Sequence, residues 1–162
     1  RASGLTRASR MIHSNVPARD SARLNKRLMN MKQPIIHREL ALLHPRMQEA
    51  IWHLINDLNA AQARGEIDIA ILPFETYRSP IRQDWLRDNQ PKSTNASAWY
   101  SPHQYGLAVD FCGWKDEKPT WQIPTSAWEL LHKLARAHNL EAPIGWDLGH
   151  IEHPDRRVLK PA

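Results

Sequence analysis

Apolar positions recur along this chain in two rhythms, and the switches between them mark the expected elements. Over residues 46–64, Met47, Ile51, Leu54, Ile55, Leu58 and Ala61 fall on one face of a helix. Pro45 at its start and Gly65 just past its end bracket it, which predicts the main core helix. A strand is expected over 67–72, ended by Pro73, with Arg78 on the following loop and a short helix from 80 to about 87. The polar stretch 92–100 reads as a rim or lid over a cleft. Residues 107–112 are short, apolar and flanked by Gly106 and Gly113, so they predict a buried strand with side chains on alternate faces. Leu107, Val109 and Phe111 then belong to the core, whereas Ala108, Asp110 and Cys112 share the opposite face. Ser126 and Glu129 form a capping box opening a helix to about 138, with Leu130, Leu131, Leu134 and Ala135 facing inward. A further strand is expected at 121–123, and 145–153 returns toward the buried strand. The fold class is therefore α+β: a compact single domain with a small, mainly antiparallel sheet packed on helices.

Charge divides the chain where hydropathy does. Residues 1–32 hold eight Lys or Arg against only Asp20, whereas 33–162 hold fourteen against sixteen acids. The first 32 residues read as a basic arm, without apolar period over 1–16 and with a short amphipathic helix over 21–31 carrying Leu24, Leu28 and Met31. Such an arm suits an anionic surface, while the nearly neutral body gives no reason to expect nucleic acid. The 162 residues are 41% hydrophobic and include seven Trp, which fits one folded domain and a monomer. No apolar run reaches the ~20 residues needed to span a bilayer. The basic start lacks the apolar centre of a secretory signal peptide, so synthesis in the cytoplasm and export by another route are expected. A single cysteine, Cys112, allows no internal disulfide.

The chemistry concentrates in Ser101 to Asp110 and Asp147 to His150. Two imidazoles and one carboxylate, His103, Asp110 and His150, are a sufficient ligand set for a catalytic zinc ion, which keeps a further position open for water. A carboxylate on an apolar strand is costly to bury without a counter-charge, and a divalent cation offers one. Asp147, three residues before His150, can share its side of a tight turn and accept a proton from water. His153 competes with His150 for the third ligand position, but His150 alone has Asp147 at this offset. Glu152 or His153 can instead orient a ligand imidazole. Cys112 reads as a small buried hydrophobe, the alternative being a nucleophile. The remaining histidines need no functional reading; Trp99 and Tyr100 beside the motif read as packing, the alternative being a stacking surface for a sugar or peptide.

At these residues the chain resembles the zinc-dependent D-alanyl-D-alanine carboxypeptidase and L-alanyl-D-glutamate endopeptidase family, which includes several phage endolysins. The pattern SxHxxGxAxD is matched by Ser101, His103, Gly106, Ala108 and Asp110, and the later acidic-x-x-His by Asp147 and His150, followed by Ile151 and Glu152. Upstream, Tyr77-Arg78-Ser79 and Gln83 look like the YRS segment, and Leu43-His44-Pro45 like the start of the first long helix. The resemblance covers roughly 40–154. Thr76 departs from the usual Gly before Tyr, and 91–100 lacks the usual glycines. The resemblance implies a zinc peptidase domain over 33–162 with its site in a surface cleft, His103, Asp110 and His150 as ligands, and Asp147 as general base. It implies that Arg78 holds the substrate carbonyl, and that Ser101, Gln83 and Tyr77 contact substrate or orient the site. The implied partner is the peptidoglycan stem peptide, cut at the L-alanyl-D-glutamate bond by a wall-acting, endolysin-like enzyme. The alternatives are a D-alanyl-D-alanine carboxypeptidase, a non-catalytic zinc module that binds the wall, and, suggested only by the arm, a nucleic-acid binder. Without the resemblance, Arg78 would read as half of a surface ion pair with Glu75 or Asp84.

Overall fold

The computed structural model of the chain describes residues 32–159. The expected basic helix over 21–31 lies outside them. Helix α1, Pro45–Ala63, begins with its proline in the first turn, where no backbone donor is required, and the His44 ring accepts a hydrogen bond from the Arg46 N–H. Its stripe Met47, Ile51, Leu54, Leu58 and Ala61 is buried, and Ile55 packs at the margin of the core. Removing each large apolar side chain from water contributes about 1.5–3 kcal/mol, so this face holds the helix in place.

Four strands form the sheet: β1 Ala70–Glu75, β2 Ala108–Lys115, β3 Lys118–Thr120 and β4 His150–Glu152. All pairings are antiparallel. Asp110 is opposite both Glu75 on β1 and His150 on β4, and Gly113 is opposite both Ile71 on β1 and Thr120 on β3. Strand β2 is therefore central, with β1 along one side and β4 then β3 along the other. Helix α2, Pro80–Asn89, follows β1; α3, Thr125–Ala137, joins β3 to β4; α4, Arg156–Leu159, closes the described chain. Helices α1 and α3 share one core with Ile71 of β1, Val109 and Phe111 of β2, and Leu107 just before it.

Three expectations are corrected. The strand expected over 67–72 begins at Ala70 and runs through Pro73 rather than ending there. A proline lacks the N–H that a central strand must donate, but β1 is an edge strand and tolerates it. The expected capping box of Ser126 and Glu129 is absent, because the helix starts at Thr125 with Pro124 at the cap and no side-chain cap bond. The expected strand at 121–123 is displaced to Lys118–Thr120, where a two-residue turn at Asp116 and Glu117, both with positive φ, folds β3 directly back on β2. The alternation read for β2 is borne out, and the strand extends to Lys115.

Candidate metal centre

His103 is delivered by a short 3-10 helix, Pro102–Tyr105, whose entry is held by Ser101. The Ser101 hydroxyl accepts from the His103 N–H, and the Gln104 side chain accepts from the Ser101 N–H. Gly106 ends the turn at φ +66, and a Cβ there would approach the His44 nitrogen to 2.6 Å and the Leu42 carbonyl oxygen to 2.8 Å. Only glycine satisfies both the left-handed backbone and this contact with the start of α1. The chain then enters β2, which carries Asp110. Register places His150 of β4 beside it. The His150 N–H closes a turn onto the Asp147 carbonyl at 3.2 Å, and the Phe111 N–H donates to the Gly149 carbonyl at 2.8 Å.

These placements bring three donor atoms together. His103 Nε2 lies 3.1 Å from Asp110 Oδ1 and 3.3 Å from His150 Nδ1, and His150 Nδ1 lies 3.0 Å from Asp110 Oδ1. Ligands about 2.0–2.1 Å from a tetrahedral ion are about 3.3 Å from one another, so the triad fits zinc after only a slight expansion. The outer nitrogens are assigned by their neighbours. His103 Nδ1 is 2.9 Å from the Thr76 carbonyl and His150 Nε2 is 3.2 Å from Glu152 Oε2; both oxygens only accept, so these nitrogens carry protons and the inner ones face the shared point. His153 is not among the residues whose donor atoms converge here, and its Nδ1 accepts from the Asp155 N–H.

Electrostatics at the triad favour a cation. Burial alone would raise the Asp110 pKa, but His103, His150 and Arg78 reverse this and hold it well below the usual carboxylate range. Burial lowers the His150 pKa, yet hydrogen bonds to Asp110 and Glu152 outweigh it and push the imidazole up to about 9. Asp147 is half-buried, and burial together with the Asp110 charge raises its pKa above the ordinary value. That moves it toward neutrality, where a general base works best. The Cys112 thiol is pushed up to about 11, chiefly by burial, and is poorly suited to a nucleophile.

Arg78 is 7% exposed rather than on the surface. Its Nε and NH2 donate to Glu75 Oε2 at 2.9 and 2.8 Å, NH2 also to Asp110 Oδ2 at 2.7 Å, and NH1 to Gln83 Oε1 at 3.2 Å. Burial opposes its charge, but Asp110 and Glu75 more than offset this and hold its pKa above the ordinary arginine value. Gln83 is fully buried and donates to Thr94 Oγ1 and the Ala96 carbonyl, tying Arg78 to the 91–100 segment. Tyr77 is half-buried against His37, with ring centres 5.7 Å apart, and lines neither of the cavities described next. Sequence reasoning missed two supports. Glu75 was weighed only as a surface partner, yet it is 1% exposed and also accepts from Arg82 Nε at 2.6 Å. Arg82 was not singled out, although Glu75, Arg78 and Arg82 follow the spacing of one strand end and one helix start.

Two cavities flank the centre. One of about 320 Å³ is lined by His103, His150 and Ser101 along with Thr94, Asn95 and Tyr100. The other, of about 500 Å³, is lined by Glu75, Arg82, Lys92 and Trp121. Arg78, Asp110, Trp146 and Asp147 line both, so the two adjoin at the centre. The 92–100 segment forms part of the rim, as its composition predicted.

No protein-family model matches the chain, and no curated protein matches it by sequence. Solved structures do match in three dimensions. The L-Ala D-Glu endopeptidase ChiX of Serratia marcescens aligns with 80% of this chain and 97% of its own, at 17% identity and a TM-score of 0.51. The vancomycin-resistance D,D-pentapeptidase VanY of a VanB-type cassette, solved as a mutant in complex with Zn(II), aligns with 72% of this chain and 75% of its own, at 16% identity and a TM-score of 0.50. The chain therefore shares its α+β fold with ChiX and VanY.

Proposed function

We propose that this protein is a zinc-dependent peptidase of the resembled family that hydrolyses the stem peptide of peptidoglycan at the L-alanyl-D-glutamate bond, as an endolysin-type enzyme. The observation that carries the reading is the convergence of His103 Nε2, Asp110 Oδ1 and His150 Nδ1 within 3.3 Å of one another, in a cleft also lined by Arg78 and Asp147. His103, Asp110 and His150 would hold the ion. When bound, zinc supplies Lewis acidity, polarising a carbonyl and lowering the pKa of water. Asp147 takes a proton from water in the cleft and returns it to the departing amine. Arg78, fixed by Glu75 and Gln83, presents positive charge where the carbonyl oxygen becomes negative. Ser101 and Gln83 position His103 and Arg78.

The endopeptidase reading is favoured over a carboxypeptidase by the cleft. Two cavities adjoin at Asp110 and Asp147, which is more room than the end of a chain needs. The basic residues 1–32 add attraction to the anionic envelope on which the substrate is found. The test couples metal analysis to mass spectrometry of digested muropeptides. The wild type is expected to hold one zinc and release L-alanine-ended fragments, and His103→Ala to lose both properties. Release of terminal D-alanine alone would make the protein a carboxypeptidase, and stoichiometric zinc without any product would make it a binding module. Undiminished zinc and cleavage in His103→Ala would overturn the assignment.

A further inference from the structure

The larger cavity contains a feature that the reaction above does not use. Arg82 is 2% exposed, and its NH1 is buried without a hydrogen-bond partner among the described residues. A buried donor left unpaired costs about 1–3 kcal/mol, more on a charged group, so a native protein retains one where something else completes it. The charges nearby point to an anion. Two guanidiniums, Arg78 and Arg82, share the single carboxylate of Glu75, both of whose oxygens are taken. The other acid in contact with them, Asp110, is engaged by Arg78, His103 and His150. The Glu75–Arg78–Arg82 cluster thus has one positive charge in excess, and farther along the cavity wall Lys92 is set against Asp147. A planar guanidinium on the cavity wall whose buried NH1 is left unpartnered suits a carboxylate better than any neutral group.

We propose that the cavity beside Arg82 is a carboxylate-binding subsite that takes the free α-carboxylate of the substrate residue on the amine side of the scissile bond. This rests on the peptidase reading. In an L-alanyl-γ-D-glutamyl peptide the glutamate continues the chain through its side chain, so its α-carboxylate is free and sits on the carbon bonded to the scissile nitrogen. With the carbonyl at the metal centre, that carboxylate is carried into the cavity that shares Arg78, Asp110 and Asp147 with the centre. The subsite would make the protein selective for stem peptides whose glutamate is not amidated.

The experiment uses the full-length, zinc-loaded protein and two synthetic peptides, L-Ala-γ-D-Glu-L-Lys and its twin with the α-carboxylate converted to a carboxamide. The wild type is expected to favour the acid in kcat/KM by about ten- to a hundredfold, mainly through KM, the range of a charge-assisted hydrogen bond. In Arg82→Gln the preference is expected to collapse toward one or invert, and Arg82→Lys, which keeps charge without the fork, to fall between. Equal rates for the twins in the wild type would overturn the proposal without recourse to any variant, as would an unchanged preference in a folded Arg82→Gln. Calorimetric binding of both peptides separates the two readings. If the wild type cleaves neither peptide but binds the acid preferentially through Arg82, the peptidase reading fails and the subsite stands; cleavage without preference fails the subsite alone.

Discussion

Stripping divalent ions from the protein and raising the pH should destabilise it in a window set by one histidine. His150 is held between Asp110 and Glu152, which push its pKa from 6.5 to about 9 in the folded chain. Below pH 6.5 the imidazole is protonated whether folded or not, and its stabilisation is fully present. Between 6.5 and 9 the unfolded chain loses the proton while the folded chain keeps it, so stability falls as pH rises; above 9 the contribution is gone. At 1.36 kcal/mol per pH unit the loss totals about 3 kcal/mol. In a domain of this size that lowers the melting temperature by roughly 10 °C. Asp110 stays ionised throughout the window, since its pKa is held low, and His153, whose pKa is lowered mainly by burial, titrates below it. The assay is thermal or urea unfolding of the chelated protein from pH 7 to 9.5, beside His150→Gln. The variant should lose the slope. Zinc should abolish it in the wild type, because Nδ1 then has no proton to release, and zinc uptake near pH 7 should expel a measurable proton. A flat profile in the chelated wild type, or an equal slope in His150→Gln, would refute the electrostatic account of the triad.

Asp147→Asn should retain bound zinc while kcat falls about 10²- to 10⁴-fold, and the wild-type rate should drop on acidification at a pH above the ordinary aspartate value; full turnover in the variant would remove Asp147 from the chemistry. Glu75→Gln leaves two buried guanidiniums without their shared counter-charge, so unfolding free energy should fall by about 3–5 kcal/mol, and a loss under 1 kcal/mol in denaturant titration would show that the cluster is unimportant to the fold.

The convergence of His103, Asp110 and His150 was legible because each half of the group is local: short spacings of His and Asp beside a buried strand leave few other arrangements. Helix α1 was legible because its apolar period runs unbroken between a proline and a glycine. What escaped was set by contacts distant in sequence. The end of β1 depends on pairing with β2, so a rule that stops strands at proline misplaced it, Pro73 being opposite Phe111 on an edge strand. The Ser126 and Glu129 pair has the spacing of a cap, but Pro124 begins the helix before Ser126 can act as one. Glu75 looks like a solvent-facing acid until α2 folds over it and brings Arg82 within 2.6 Å.

Pro73 has a consequence for the protein among its own copies. An exposed strand margin is a template on which another chain can add, and repeated addition ends in aggregates. Along β1 that row of donors is interrupted at Pro73, and beyond its end the Thr76 N–H is already given to the His37 carbonyl. Arg38 donates to the Phe74 carbonyl and lays its charge over the Phe74 and Trp114 rings. The margin beside the metal centre is thereby blunted against sheet-to-sheet growth, so the cleft can stay open at high protein concentration.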